Sequence, residues 1–105
     1  MLPGASAAVL VAAGALACVR HGARARQVAM RNFTFEPRSI VVSPGDTVVW
    51  TNGDFVPHTA TATDAAWDSK SVDGSGTWRW VATRAGRQAY YCVFHPNMRG
   101  TIEVR

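Results

Sequence analysis

From residue 26 onward, apolar side chains recur at alternate positions and no window carries a helical stripe. Thr47-Val48-Val49-Trp50-Thr51 is dense in β-branched and aromatic residues, which suit a pleated, half-buried surface. Ser39–Val42, Thr77–Val81, Arg87–Cys92 and Thr101–Val104 read as further strands. Val28 and Met30 alternate with polar neighbours, Phe33-Thr34-Phe35 follows, and Pro37 ends the run. A short strand is expected around Thr59–Thr63. Ser43-Pro44-Gly45-Asp46 and Asn52-Gly53-Asp54 are turn sequences, and residues 53–77 are otherwise loop-like. The pattern predicts an all-β sandwich of about seven to eight short strands, in one domain.

Residues 1–25 are of another kind. Ala5 to Val19 is small and apolar, shorter than the about 20 residues a membrane span needs. It fits the apolar region of an export signal, although Met1-Leu2-Pro3-Gly4 carries no basic residue. Ala15-Leu16-Ala17 and Ala23-Arg24-Ala25 are both small-residue cleavage sequences. Ala15-Leu16-Ala17-Cys18 also resembles a lipid-attachment sequence, which would hold the protein to a membrane through Cys18. The expectation is a leader over 1–25 and a folded domain over 26–105, exported to the periplasm or beyond. Removing Arg20 and Arg24 from the 11 basic residues leaves nine against seven acidic ones, a charge near neutral. The basic residues are scattered, with no cluster of the kind nucleic acid requires.

Tyr90-Tyr91-Cys92-Val93-Phe94-His95-Pro96-Asn97-Met98 holds a cysteine, a histidine and a methionine at intervals of three. Of the two cysteines, Cys18 falls in the leader, so Cys92 has no disulfide partner in an exported domain and is protected or used. His58 stands in a Pro-flanked loop 34 residues earlier. Two imidazoles, one thiolate and a thioether form the blue-copper ligand set, which leaves Met30 out. On this reading Cys92 ends a strand, a tight loop stiffened by Pro96 brings His95 and Met98 to the same point, and His58 closes the plane. Each residue alone has a plainer role: a buried thiol, a core methionine, a surface histidine. Zinc usually takes four Cys, His or carboxylate ligands, and covalent haem attachment needs a C-x-x-C-H sequence that is absent. The residues by themselves leave the choice between a copper site and a strand end open.

Longer stretches narrow it. FTFEPRSIVVSPGDTVVWTNGDFVPHTAT (33–61), WDSKSVDGSGTWRW (67–80) and YYCVFHPNMRGTIEV (90–104) resemble the cupredoxins, and among them the small plastocyanin- and amicyanin-like blue copper proteins. The resemblance runs from Val28 to Val104 and implies a cupredoxin-like Greek-key sandwich. His58, Cys92, His95 and Met98 fall at the positions of the family's ligands to one type 1 copper. With two residues between His95 and Met98, the ligand loop is similar to the short one of amicyanins. Thr59 stands where Asn is common, so the hydrogen bond of that asparagine does not carry over. Asn52 suits either a turn or a supporting role near the metal.

The resemblance implies a one-electron carrier and not an enzyme, with copper delivery or storage as the alternative. It further implies a monomer whose redox partners, a cytochrome or an oxidoreductase, dock at an apolar patch around His95. Pro96, Phe55, Val56 and Pro57 are the expected rim, with Phe55 equally suited to the core. Tyr91 points away from Cys92 along the strand, which leaves it between packing and a second electron route. The four tryptophans read as packing.

Overall fold

The structure is a computed structural model and describes residues 22–105. Most of the expected leader, with Cys18, lies outside the described residues. Eight strands are present: β1 (Ala25–Arg31), β2 (Thr34–Glu36), β3 (Ser39–Val42), β4 (Thr47–Asn52), β5 (Thr61–Ala62), β6 (Thr77–Val81), β7 (Gly86–Cys92) and β8 (His95–Val104). They form two four-stranded sheets, in the orders β2-β1-β4-β6 and β3-β8-β7-β5. The pairs β1–β4 and β3–β8 are parallel, and the other pairs are antiparallel. The all-β sandwich expected from alternation is the fold observed. No described helix is long and apolar enough to cross a membrane.

Alternation decides what is buried. Val28 and Met30 of β1, Ile40 and Val42 of β3, Val48 and Trp50 of β4, Tyr90 and Cys92 of β7, and Ile102 and Val104 of β8 turn into one core. Met30 is a core side chain. Trp50 is fully buried, and Trp67 lies against it at a ring-centroid distance of 5.6 Å and against Trp80 at 4.7 Å. Phe35 meets Tyr90 at 4.6 Å, which ties β2 to the opposite sheet. Each such ring buried contributes on the order of 2–3 kcal/mol relative to exposure. The tryptophans are packing residues, as expected.

Two local differences from the sequence reading matter for the site. Phe33 is not in a strand: Asn32 and Phe33 form the two-residue β1–β2 turn, both with positive φ (55° and 60°). The stretch expected as a ligand loop is mostly strand. Val93 and Phe94 make a two-residue turn, across which Cys92 and His95 are paired. The next register pair is Tyr91 with Arg99, so Pro96, Asn97 and Met98 form an irregularity in β8. A bulge of this kind re-aims side chains without ending the sheet. It leaves Met98 buried, on the inward side with Gly100 and Ile102.

Candidate metal centre

The thiol of Cys92 sits at the end of β7 and is fully buried. His58 reaches it from the β4–β5 connection. Its backbone is pinned there by His58 N–H to Val72 O at 3.1 Å and Val72 N–H to His58 O at 2.8 Å. The Nδ1 atoms of His58 and His95 lie 3.8 and 3.6 Å from Cys92 Sγ, and the three candidate ligand atoms are all within 4.8 Å of one another. His58 is buried and His95 half-buried. A first-row metal bound trigonally, with bonds of about 2.3 Å to sulfur and about 2.0 Å to nitrogen, would set S···N at about 3.7 Å. The donor set and its spacing therefore fit a two-imidazole, one-thiolate metal site. Of the four expected residues, the structure brings His58, Cys92 and His95 together, and it places Met98 in the inner face of β8.

Two side chains beside these groups, Asp54 and Phe33, were not singled out by the sequence. Asp54 Oδ2 accepts from His58 Nε2 at 2.7 Å. That bond assigns the proton to Nε2 and leaves Nδ1, the atom facing the thiol, as the free donor pair. The Asp54 carboxyl is pushed up by burial, but hydrogen bonds from Phe33 N–H, from His58 and from Asn32 N–H outweigh this and hold it below the usual range. The Phe33 ring lies nearly perpendicular to both imidazoles, with centroids 5.3 Å from His58 and 4.7 Å from His95. A carboxylate four residues before a loop histidine was the available signal for Asp54. Nothing in the sequence pointed to Phe33, which depends on how the β1–β2 turn folds over.

Thr59 takes on connecting work. Its N–H points at Cys92 Sγ at 3.3 Å, and its hydroxyl accepts Val93 N–H at 2.9 Å. The Thr59 and Thr61 hydroxyls are 2.9 Å apart, and Thr61 donates to Asp68 Oδ1 at 3.0 Å. With Asp68 an acceptor, the direction of the chain is set: Val93 N–H to Thr59, Thr59 to Thr61, Thr61 to Asp68. Thr59 therefore links the two segments that carry His58 and Cys92, although it is not asparagine. Asn52 is buried and bonds Val56 O, Val72 O and Asp54 N–H, at 2.9, 2.9 and 2.8 Å. It organises the loop beneath His58 from one residue.

A two-sheet sandwich with a buried thiol and two imidazoles at one end defines a small copper protein of the cupredoxin class. The sequence model described as copper binding proteins, plastocyanin/azurin family, matches residues 23–105, and the chain belongs to that family. It is 29% identical over 105 residues to amicyanin-alpha of Methylorubrum extorquens, covering 94% of this chain and 88% of the relative. It is 31% identical over 75 residues to amicyanin of Paracoccus denitrificans, covering 67% of this chain and 57% of the relative. Among solved structures, a purple cupredoxin from Nitrosopumilus maritimus superposes with a TM-score of 0.72 at 26% identity, over 76% of this chain and 99% of that one. The Cu(I) form of an amicyanin point mutant superposes with a TM-score of 0.73 at 29% identity, over 83% and 86%.

Proposed function

We propose that this chain is a one-electron carrier, not an enzyme, whose single copper is held by His58, Cys92 and His95 with Met98 as a weak axial ligand. The observation that carries the reading is the convergence of a buried, unpaired thiol with two imidazole Nδ1 atoms at trigonal spacing. Copper bound there supplies a Cu(II)/Cu(I) couple. The chain supplies rigidity. Thr59 N–H steadies the sulfur, Asp54 fixes the His58 ring, and the β7–β8 pairing fixes the backbone of Cys92 against that of His95. Donors held this way need little rearrangement between oxidation states. All four donors come from protein, which favours electron transfer over substrate turnover.

Partners of the redox-protein class, a cytochrome or an oxidoreductase, dock in this reading at the half-buried His95 edge. Phe55 is fully exposed, and Val56, Val93 and Phe94 are exposed too, which supports an apolar docking surface on a monomer. Residues ahead of the domain act as an export leader, with membrane attachment only through a lipid-modified Cys18. Arg24 N–H bonds Asp46 Oδ1 at 2.9 Å, and Thr47 N–H bonds Arg24 O at 2.8 Å. Cleavage after Ala25 would forfeit both bonds, which favours the earlier site after Ala17, and that site would leave Cys18 as the first residue of the exported chain.

The test is reconstitution with Cu(II) and optical and EPR spectroscopy. An intense blue or purple thiolate-to-copper band, lost in Cys92→Ser, is the expected result. A colourless copper-loaded protein would sink the carrier reading and favour copper delivery or storage. A band surviving Cys92→Ser would refute the ligand assignment.

A further inference from the structure

The β1–β2 turn adopts a backbone its sequence does not favour. Two-residue hairpin turns with both residues at positive φ prefer Asn followed by Gly. Here the second residue is Phe33, a bulky side chain for which φ of 60° is an outlier. Asp54 offsets this strain. Its Oδ1 accepts Asn32 N–H at 2.8 Å and its Oδ2 accepts Phe33 N–H at 3.0 Å, while Oδ2 also holds His58 Nε2 at 2.7 Å. The carboxylate is itself held: Asp54 N–H bonds Asn52 Oδ1 at 2.8 Å, the adjoining Gly53 N–H bonds Met30 O at 2.8 Å, and the Asp54 side chain is only 13% exposed. What the turn presents is Phe33, 48% exposed, with its ring packed in a T-shape against both imidazoles.

We propose that Asp54 is a positioning residue that latches the Asn32–Phe33 turn onto His58, so that Phe33 is held as a cover over both copper-binding histidines. The inference rests on the copper reading above and adds to it a structural unit of four residues, Asn32, Phe33, Asp54 and His58, from two chain segments. One carboxylate makes three charge-assisted hydrogen bonds, two to the cover and one to the covered ring. Losing it releases the turn to a less strained conformation and frees the His58 ring at the same moment. The ring of Phe33 then no longer screens His58 and His95 from water and from competing ligands.

Asp54→Asn, Phe33→Ala and the double variant test this. Asparagine keeps the shape but carries one acceptor oxygen, and its amide group opposes the donors it would face. The first measurement uses metal-free protein: the amide resonances and hydrogen-exchange protection of Asn32 and Phe33. In Asp54→Asn both amides shift and lose protection while the core strands keep theirs. Unmoved amides overturn the latch, and so does a general loss of protection that includes the core. The second measurement is the rate at which a chelator strips copper from loaded protein. Each single variant is expected to speed stripping by about 10–100-fold, the usual scale for removing a partner of a metal ligand. Phe33→Ala is in an exposed turn and keeps the fold, so an unchanged rate in that variant overturns the cover. Adding Phe33→Ala to Asp54→Asn is expected to change little, and multiplied effects would mean the two residues act separately. Failure of the wild type to take up copper would overturn the carrier reading, and the metal-free amides would still decide the latch.

Discussion

The Tyr90 ring lies against the backbone of Gly100, its register partner across β7 and β8: a Cβ on Gly100 would fall 2.5 Å from Tyr90 Cζ and 2.6 Å from its hydroxyl oxygen. Tyr90 is buried among Phe35, Trp50 and Trp67, so its ring has nowhere to retreat. Burial also pushes its phenol pKa up, and the side chain stays neutral. Gly100→Ala is therefore expected to destabilise the fold by about 1–3 kcal/mol, as overpacking does in cores. Denaturant unfolding of metal-free protein measures it. A loss within error of zero would mean the strands can spread at this point.

Met98 is buried in the inner face of β8, on the irregularity that follows His95. Met98→Ala leaves a cavity, with an expected cost of about 2–5 kcal/mol in the metal-free protein. The variant is expected to keep copper and to shift the reduction potential, which protein-film voltammetry reads. Complete loss of copper would contradict a weak axial role.

Thr59→Val keeps shape and the N–H that faces Cys92, but it deprives Val93 N–H of its acceptor. An amide left without its acceptor costs about 1–3 kcal/mol when buried, and this part-buried one is expected to cost less. The expected signs are faster hydrogen exchange at Val93 and a perturbed thiolate-to-copper band in loaded protein. Thr59→Ser is expected to restore both. If Thr59→Val exchanged like the wild type at Val93, the hydroxyl chain to Asp68 would not be holding the turn.

Asp46 accepts backbone N–H groups of Ser43 and Arg24, both at 2.9 Å, and these bonds hold its carboxyl below the usual range. A carboxyl whose folded pKa is lowered contributes stability above its unfolded pKa of about 3.9, and that stability drains away as pH falls through the folded value. Metal-free protein is thus expected to lose stability below about pH 4, with Asp68, also lowered, adding in the same direction. Asp46→Asn is expected to be less stable near neutral pH and to show a shallower acid limb. Parallel pH curves for the two proteins would rule out this linkage.

Much of this was legible in the chain. Alternation over Ser39–Val42, Thr47–Thr51 and Thr77–Val81 put strands where they are found, because each has one face to bury and the period of two is read directly. The spacing of Cys92, His95 and Met98 raised a site without deciding it, and the structure brings Cys92 and His95 together with the distant His58. The hairpin form of that stretch was less legible, because Pro96 and Asn97 look like loop residues and only pairing with β7 keeps them in the strand. Phe33-Thr34-Phe35 looks like one continuous strand segment, and only the positive-φ turn at Asn32 and Phe33 takes Phe33 out of it.

By itself the sequence determined which residues face inward, that Cys92 stands without a partner among the described residues, and which donor types are present. Those properties are local, set by side-chain chemistry and a two-residue period. The tertiary structure alone decided that Asp54, 21 and 22 residues from Phe33 and Asn32, captures their amides and the ring of His58 together. Only there does Thr59 bond across 34 residues to Val93. Hydrogen bonds act over about 3 Å, and positions so far apart in the chain come within that range only when the two sheets pack.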